Sequence, residues 1–507
     1  MADQCTLPRF QAASPHRLSL STRWIALLLG ISLFAALFAI SEDSLWIDEG
    51  CSAFFATQPT FGTLAAAMKN EGGSDAQVPF YIGYLWVWEK AFGHGEWTLR
   101  AANLPWILLG HAALLFSFRR AGTARGVAIF YFLAAALSPF LTFYLNQARC
   151  YAMQYATACM VFGYLLEVSA NPARALDRLP LLTGASGALF LCGTSLLGVV
   201  WAGSAFLAAG WMIWKSPEVP RISPKAALLL GLLAIGLSVL GLYYLGTLFR
   251  GVRATGGVTS IGTVFYCLYE MIGFAGLGPA RNDLRAGGIA VLKPYAWPLL
   301  LGGVAIGGTL ASGIFSSIRR NPLPKSRRWV LGLLVILPLG FVLGTGVTAH
   351  FRVLGRHLMA VYPLLLFGIA LAQYALWKTR WKVLPMLFLT VWAASSGMLR
   401  FAKMHHRDDY RSAAALAVGK LAAGKRVWWV ADQRTGGYYG LGGVKGGTLT
   451  CWINAREDEL NATPEPDCIV LSKGEIYDPN GAIGRYITGH HLAPEASFQA
   501  FKVFKKQ

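Results

Sequence analysis

Long apolar runs separated by short basic segments are the feature that most constrains the fold of this chain. A helix needs about 20 apolar residues to cross the hydrocarbon core of a membrane. Runs of that length lie near 23–41, 101–118, 127–145, 151–167, 226–247, 296–318, 329–349, 358–377 and 383–399. The stretch Leu179–Trp214 is about twice that length and predicts two helices joined near residues 192–195. We therefore expect an α-helical polytopic membrane protein with about 11 transmembrane helices.

The composition and the charge pattern agree with a membrane protein. Only 14% of the residues are charged and 55% are hydrophobic, whereas soluble domains carry about a quarter charged residues. The net charge of +20 could suggest a nucleic-acid partner. However, the Lys and Arg residues occur in short clusters between apolar runs, which is typical of cytoplasmic loops. We therefore expect membrane lipid and no nucleic acid among the partners. We interpret the first apolar run as a retained span.

The basic clusters also predict the orientation of the chain. Residues 79–92 are apolar and aromatic, but the run is short and contains Glu89 and Lys90. If this run does not span and the N-terminus is cytoplasmic, every inside segment is basic, as the positive-inside rule requires. These residues are Arg9, Arg17, Arg23, Arg119, Arg120, Arg125, Arg174, Arg178, Lys215, Arg221, Lys225, Arg319, Arg320, Lys325, Arg327, Arg328, Lys378, Arg380 and Lys382. We therefore expect residues 79–92 to form an interfacial amphipathic helix in the first outer loop.

Two of the outer loops are unexpectedly basic. The fourth outer loop contains Arg250, Arg253, Arg281, Arg285 and Lys293, and the segment 350–357 contains Arg352, Arg356 and His357. These side chains could snorkel along the interface. They could instead neutralise a phosphate on the outer face, because Arg offers a planar donor fork that matches phosphate oxygens. Arg149, in the short outer turn 146–149, belongs to the same set. For His357, a place in the core at the entrance of a span is an equal alternative.

The first outer loop brings acidic residues to the same face. The segment "SEDSLWIDEG" (41–50) contains Glu42, Asp43, Asp48 and Glu49, which could be a solvated loop or could include a catalytic base. A carboxylate beside phosphate-binding arginines suits transfer from a lipid-phosphate donor. The carboxylate would take a proton from an acceptor hydroxyl while arginines stabilise the departing phosphate. The sequence has no nucleotide-binding loop and no dinucleotide fingerprint, which favours a lipid-linked donor.

Several segments resemble a known family in order along the chain. "LWIDEGCSAFFA" (45–56), "VPFYIGYLWVWEKAFGHGEWTLRAANLPW" (78–106), "SPFLTFYLNQARCYAM" (138–153), "RVLGRHLMAVYP" (352–363) and "HHRDDYRSAAALA" (405–417) carry the likeness. They resemble the GT-C fold, family 39-like glycosyltransferases. That superfamily includes the protein mannosyltransferases and the aminoarabinose transferases that modify lipid A.

The resemblance implies an inverting glycosyltransferase with Asp48 as the general base. The donor would be a polyprenyl-phosphate sugar, and the acceptor would be a hydroxyl on a lipid, a glycan or a protein. Glu49 is the second catalytic candidate, although a structural role is the better interpretation. We expect the substrate-binding residues to be Gln147, Arg149, Tyr151, Arg281, Arg285, Arg352, Arg356 and His357. We also expect Arg149 to pair with Asp48, since a charge where a helix leaves the membrane needs a partner.

One departure from the family pattern concerns metals. Gln147 stands where the family usually has a carboxylate, which removes a potential metal ligand. No cofactor is firmly implied; a divalent metal is possible, but the sequence of the second outer turn (146–149) does not support it.

Residues 263–276 form an apolar, aromatic run of about half a span. We interpret it as a second interfacial helix, in the fourth outer loop; a re-entrant packing element is the alternative.

The apolar pattern ends after Arg400, which divides the chain into a membrane domain, 1–400, and a C-terminal domain, 401–507. "YRSAAALAVGKLAAG" predicts a helix, and "RVWWVAD", "TLTCWI" and "DCIVLS" predict short buried strands. We expect a small α/β extracytoplasmic domain. Cys451 and Cys468 are the only cysteines in it, and an oxidising outer compartment would let them form a disulfide.

Two other classes of function remain open from the sequence. A polytopic secondary transporter or flippase for a lipid-linked or polar substrate would show internal repeats and polar groups near the membrane midplane. We find no such repeat, and the charges cluster at one face. A non-enzymatic assembly or scaffold protein is a third alternative. We expect the protein to lie in the bacterial inner (plasma) membrane, with a cytoplasmic N-terminus and a periplasmic C-terminal domain.

Overall fold

The computed structural model describes residues 20–217, 222–254, 259–320 and 325–507 and is mostly helical. Arg9, Arg17 and Arg221 lie outside these ranges. The side chains of Arg250, Arg253, Arg319, Arg320, Lys325, Arg327 and Arg328 also lie outside the description. The helices up to Phe401 are α1 (Thr22–Ala39), α2 (Ile47–Ala56), α3 (Phe61–Glu71), α4 (Pro79–Phe92), α5 (Glu96–Ala101), α6 (Asn103–Arg120), α7 (Arg125–Leu137), α8 (Pro139–Leu145), α9 (Tyr151–Ala170), α10 (Arg178–Thr194), α11 (Gly198–Trp214), α12 (Pro224–Ala254), α13 (Ile261–Ile272), α14 (Arg281–Gly287), α15 (Ala296–Arg320), α16 (Lys325–Thr348), α17 (Tyr362–Trp377) and α18 (Val383–Phe401). Short 3₁₀ helices cover Asp75–Gln77, Pro172–Arg174, Gly288–Tyr295, Gly355–Val361, Lys403–His405 and Leu441–Gly443.

The apolar runs of the sequence are helical, although the run 127–145 is divided into α7 and α8, and the expected number of spans is not confirmed. Among the described residues, six helical stretches are long and apolar enough to cross a membrane, or seven if α7 and α8 count as one bent span. In the span Pro224–Thr247, only 11% of the apolar window is buried inside the protein. Apolar side chains that face outward in this way need lipid around them. The chain is therefore an integral membrane protein.

Small residues and one polar cluster join the central helices. A Cβ atom added to Gly110 on α6 would lie 2.5 Å from the Ala156 Cα on α9, so these helices approach closely, as small residues allow in membranes. At the C-terminal ends of α6 and α9, Arg120 donates to both Glu167 carboxylate oxygens at 2.6 Å, and the Ser117 hydroxyl donates to the same carboxylate at 2.5 Å. The two helices are thus joined by close packing and by these polar contacts.

A bend between α7 and α8 places the second outer turn. The two helices meet at 55°. The Ser138 hydroxyl accepts a hydrogen bond from the Leu141 N–H, and Pro139 occupies the first turn of α8, where a missing N–H costs nothing. The chain then enters the turn 146–150 directly after α8, which brings Gln147 and Arg149 to the loop that follows α1.

The C-terminal part is a five-stranded sheet with helices on both faces. The strands are β1 (Arg426–Val430), β2 (Thr448–Cys451), β3 (Cys468–Ser472), β4 (Ala493–Phe498) and β5 (Phe501–Lys505), and the helices are α19 (Tyr410–Ala422), α20 (Gln433–Tyr438), α21 (Glu457–Ala462), α22 (Gly474–Tyr477) and α23 (Ala482–Gly489). The spatial order is β2-β1-β3-β5-β4, with β1 parallel to β2 and β3, and β5 antiparallel to β3 and β4. Val427 and Trp429 enter one core while Trp428 and Val430 enter the other. Burial on both faces explains why β1 is an unbroken apolar run.

The expected disulfide between Cys451 and Cys468 is wrong. Both thiols are free. Cys451 lies opposite Trp429, and Cys468 lies opposite Val427, so β1 runs between the two cysteines. Neighbouring strands are about 4.8 Å apart, which leaves two strand spacings between the cysteines. That separation exceeds the roughly 7 Å between Cα atoms that a disulfide can bridge.

Candidate active site

The acidic loop begins where α1 ends. Residues 40–46 are not helical, and α2 starts at Ile47 with Asp48 and Glu49 in its first turn. Carboxylates are favourable there because a helix N-terminus carries partial positive charge. Neighbouring residues on a helix point about 100° apart, so the two carboxylates meet different surroundings. Glu49 is fully buried, whereas 26% of the Asp48 side chain is exposed.

Glu49 fastens the loop to the membrane domain. Its carboxylate accepts two hydrogen bonds from Arg100, at 2.9 and 2.8 Å, and a third from the Ala148 N–H at 2.8 Å. The Arg100 guanidinium also donates to the main-chain oxygens of Ser41, Asp43 and Ser44. These bonds connect α2, α5 and the second outer turn. With three donors and no exposure, Glu49 is placed to hold the loop.

Asp48 faces a cation that comes from the far end of the chain. Its Oδ2 lies 2.5 Å from Nη1 of Arg356, which stands 308 residues later on the 3₁₀ helix Gly355–Val361. The same Nη1 lies 3.3 Å from the Tyr151 hydroxyl. The Arg356 side chain is 21% exposed. The pair is therefore open on one side, so that a molecule could reach both groups.

Arg149 lies beside this pair but has a different partner from the one expected. Its Nη1 donates to the main-chain oxygen of Asp48 at 3.0 Å and to the Ser52 hydroxyl at 2.8 Å, and it forms an ion pair with Asp75. Arg149 therefore contacts Asp48 through the backbone, and its charge is balanced by Asp75. Sequence reasoning missed Asp75. The signal was its position just before the Pro-headed helix α4, in the 3₁₀ helix Asp75–Gln77.

The two neighbouring carboxyls have opposite pKa shifts. Burial would raise the pKa of Asp48, but Arg356, Arg149 and Lys473 outweigh that effect and lower it below its usual range. Burial raises the pKa of Asp75, and the nearby Asp48 charge adds to the increase; Arg149 opposes it only in part. Of the two carboxyls, Asp48 is thus the one that is partly exposed and whose ionised form the surrounding cations favour. A group in this state can accept a proton.

The other expected substrate-binding residues are less uniform. Gln147 is buried and donates through its amide to the Phe143 oxygen at 3.2 Å, while its side-chain oxygen has no hydrogen-bond partner among the described residues. The Tyr151 hydroxyl contacts the Asp48–Arg356 pair by accepting a hydrogen bond from Arg356. His357 accepts a bond from the Leu354 N–H at Nδ1, at 3.1 Å, so the proton of the neutral ring lies on Nε2.

The remaining expected arginines, Arg281 and Arg285 of the fourth outer loop and Arg352 of the segment 350–357, fall into two groups. Arg281 forms an ion pair with the buried Glu270 and covers the Phe143 ring at 3.3 Å, and it also lies over Tyr144, whose ring packs against Tyr151. Arg281 is therefore connected to Tyr151, which contacts the Asp48–Arg356 pair, through the Tyr144 ring. Arg285 is exposed and Arg352 is half-buried, and neither forms a hydrogen bond or ion pair within the described part of the chain. The structure does not bring these two to the site.

The residues around Asp48 do not form a recognisable metal centre. No cluster of three or more His, Cys, Asp or Glu side chains suited to a metal ion occurs in the described ranges. Asp48 and Asp75 each pair with an arginine, and residue 147 is an amide rather than a carboxylate. We assign no part of the chemistry to a metal.

Comparison with known proteins identifies the fold. Neither a protein-family model nor a curated sequence matches the chain. Solved structures do match: arabinofuranosyltransferase AftD from Mycobacteria has a TM-score of 0.51 at 15% identity and covers 97% of this chain and 40% of its own. The chain has the GT-C fold. ArnT from Cupriavidus metallidurans, solved with undecaprenyl phosphate, has a TM-score of 0.47 at 15% identity and covers 96% of this chain and 98% of its own. Arabinosyltransferase EmbB from Mycobacterium smegmatis has a TM-score of 0.37 at 16% identity over 82% of this chain and 34% of its own.

The expected fold class is confirmed by three findings: the GT-C fold, the membrane helices and the small C-terminal sheet domain. At this level of identity the likeness establishes the architecture alone. One fold can support different reactions, so the function has to be inferred from the residues around Asp48.

Proposed function

We propose that the protein is an inverting glycosyltransferase. It moves a sugar from a polyprenyl-phosphate-linked donor to a hydroxyl acceptor, with Asp48 as the general base. The observation that carries the proposal is the half-open pair of Asp48 and Arg356. An ionised carboxylate and a guanidinium lie 2.5 Å apart, both partly exposed, at the end of the first span. One group can take a proton and the other can hold a phosphate at the same place.

The reaction proceeds as a single displacement. The acceptor hydroxyl oxygen attacks the anomeric carbon of the donor sugar, and its proton passes to the Asp48 carboxylate. The bond between the anomeric carbon and the phosphate oxygen breaks, and its electron pair stays on the polyprenyl phosphate. Attack from the face opposite the leaving group inverts the configuration. General-base assistance of this kind contributes about 10²–10⁴-fold in rate.

Arg356 has a second role in this scheme. In the free protein it neutralises Asp48; when the donor arrives, its other N–H groups can meet the phosphate oxygens in the fork geometry that guanidinium offers. Because the departing phosphate gains negative charge, this contact strengthens in the transition state. Tyr151, which lies 3.3 Å from Arg356, helps to hold the guanidinium between the two anions.

The donor would enter from the membrane, and the reaction would occur on its outer face. The Asp48 loop directly follows the candidate span Thr22–Ala39, which supports a location at a membrane surface, where a lipid-borne phosphate would lie. The basic segments between spans favour a cytoplasmic location for the opposite ends of the helices. We therefore propose that the protein is in the bacterial inner membrane, with the C-terminal domain in the periplasm. The acceptor is a hydroxyl of a lipid, a glycan or a protein.

Transfer in detergent distinguishes this function from transport. Purified protein is incubated with a polyprenyl-phosphate sugar carrying a labelled sugar and with an extract of envelope hydroxyl acceptors. A glycosyltransferase moves the label to a new product without a sealed membrane. A transporter or flippase leaves the donor intact under these conditions and moves it only across vesicles. Failure to form product with any donor, alongside movement across vesicles, would overturn the proposal.

A further inference from the structure

The C-terminal domain makes an unusually close approach to the helix that carries Asp48. Helix α2 packs against α20, and Gly50 faces Thr435. A Cβ atom added to Gly50 would lie 2.1 Å from the Thr435 Oγ1 and 2.6 Å from its Cβ. Contacts that short cannot be accommodated without moving one helix. The absence of a side chain at position 50, two residues after Asp48, therefore permits this docking.

Hydrogen bonds from the same domain hold the segment that leads into α2. The Tyr439 hydroxyl accepts from the Leu45 N–H at 2.7 Å and from the Ser44 hydroxyl at 3.2 Å, and it donates to Glu96 at 3.1 Å. The Arg411 N–H donates to the Ser44 hydroxyl at 3.0 Å. A single phenol thus joins the C-terminal domain, the acidic loop and the start of α5.

Trp46, the residue before α2, also contacts cations from the C-terminal part. The Arg407 guanidinium and the Lys473 ammonium lie 5.6 and 5.9 Å from its ring. Lys473 adopts a left-handed backbone conformation, with φ of 37°, and its ammonium pairs with the buried Asp408 at 2.5 Å. Residues other than glycine rarely adopt this conformation, and the ion pair with Asp408 keeps the Lys473 ammonium near Trp46.

We propose that the C-terminal domain is a positioning part of the active site: Thr435 and Tyr439 fix α2 from outside the membrane domain and thereby hold Asp48 in its catalytic position. This inference rests on the proposed function. Glu49 anchors the same helix turn to Arg100 on the opposite side. Asp48 is held between the two anchors, and within the described part of the chain neither Thr435 nor Tyr439 forms a hydrogen bond with the Asp48 carboxylate.

The sharpest test is Gly50→Ala. The added methyl group displaces α2 or α20, and a displacement of about 1 Å at a reacting group can lower the rate about 100-fold. We expect kcat to fall by about 10–100-fold while KM for the donor changes by less than about threefold, because Arg356 is not on either helix. Gly83→Ala is the matched control. Gly83 is also helical and has nothing within 4 Å of an added Cβ, so its kcat should equal that of the parent.

Rescue separates positioning from general damage. Thr435→Gly removes the atoms that a methyl group at position 50 would meet, but it also removes a contact that fixes α2, so the single variant is the reference. Adding Gly50→Ala to Thr435→Gly should cost at most about half of the logarithmic loss in kcat that Gly50→Ala causes in the parent. If Gly50→Ala does not fold, Tyr439→Phe gives a second test. It keeps the ring and removes three hydrogen bonds, and we expect kcat to fall at constant KM. Parent-like kcat in both Gly50→Ala and Tyr439→Phe would overturn the proposal, as would a loss confined to KM.

Amide hydrogen exchange keeps this proposal distinct from the proposed function. Docking by the C-terminal domain predicts faster exchange across residues 44–56 in Gly50→Ala and Tyr439→Phe, whether or not any sugar is transferred. If the parent transfers no sugar but exchange rises in this segment, the proposed function fails and the docking stands. If exchange in residues 44–56 is unchanged in both variants, the positioning proposal fails even where transfer is observed.

Discussion

At the scale of single residues, adjacent carboxylates in one helical turn have different tasks. Asp48 and Glu49 follow each other in the chain, but only Asp48 remains partly exposed. The residue types, the predicted outer face and the family resemblance together singled out Asp48, Arg149, Arg356 and Tyr151. They could not reveal that Glu49 forms an ion pair with Arg100 or that Arg149 forms one with Asp75. Those pairings depend on how distant helices pack, and the local sequence does not encode that.

Glu49→Gln should destabilise the protein. The substitution leaves the fully buried Arg100 without a carboxylate, and breaking one partner of a buried ion pair costs about 3–5 kcal/mol. We expect a clearly lower midpoint of thermal unfolding in detergent. Glu42→Gln, at an exposed position of the same loop, is the control and should leave the midpoint unchanged. Equal midpoints for the two variants would contradict the anchoring role of Glu49.

Arg356→Ala should move the acid limb of the pH–rate profile. In the parent, nearby cations hold the pKa of Asp48 below its usual value, so the base stays ionised as the pH falls through the mildly acidic range. Without the guanidinium, the effect of burial is less opposed and the pKa rises. Protonation then removes the base at a higher pH, and kcat/KM should decline from a higher pH than in the parent. A limb that does not move in Arg356→Ala would show that this pair does not control the base.

At the scale of secondary-structure elements, periodicity and length located the helices well. The run 79–92 is helix α4 within the same bounds. The turn expected near residues 192–195 lies slightly later, at 195–197, between the end of α10 and the start of α11. The order of the strands in the sheet could not be predicted. Three strands were predicted from apolar runs, but nothing local indicates that β1 lies between β2 and β3 or that β4 and β5 complete the sheet.

The strand order gives a direct prediction for the two cysteines of the sheet. Because β1 separates them, Cys451 and Cys468 should both react with an alkylating reagent in protein that is denatured without reductant. Peptide mass spectrometry measures the result, and a sample treated with reductant first is the control. Recovery of a peptide in which Cys451 is bonded to Cys468 would show that the described register is wrong.

At the scale of the whole molecule, contacts between distant segments define the site. The Asp48 loop packs against the C-terminal domain through Tyr439 and Arg411, so both lie on one side of the membrane. The sequence predicted this common side from the basic segments. It could not predict that α2 packs closely against α20 of the C-terminal domain, since Gly50 and Thr435 come into contact only in the folded protein.

Labelling of introduced cysteines tests which side this is. Gly62→Cys in the first outer loop and Gly442→Cys in the C-terminal domain lie at exposed positions, and both should react with a membrane-impermeant thiol reagent in intact cells. Asn171→Cys, between α9 and α10, is the matched position on the expected cytoplasmic side and should react only after permeabilisation. Reaction of Asn171→Cys alone in intact cells would reverse the orientation. Reaction of only one of the two outer positions would contradict their common side.

The central claim is that Asp48 removes the acceptor proton. Asp48→Asn keeps the size of the side chain and its capacity to bind Arg356 through the amide oxygen, but the amide cannot act as the base. Loss of a general base lowers rates by about 10²–10⁴-fold. Folding and donor binding should change little, because Glu49, Thr435 and Tyr439 still hold α2 and Arg356 still meets the phosphate.

Single-turnover transfer is the measurement that tests this claim most directly. The parent and Asp48→Asn, with Glu42→Gln as the control from the same loop, are saturated with a polyprenyl-phosphate sugar in nanodiscs. The rate of label transfer is then followed, and donor affinity is measured in parallel. We predict near-parent donor affinity for all three proteins, near-parent transfer for Glu42→Gln, and transfer by Asp48→Asn slower by about 10²–10⁴-fold. Transfer by Asp48→Asn at near the parent rate would contradict the account.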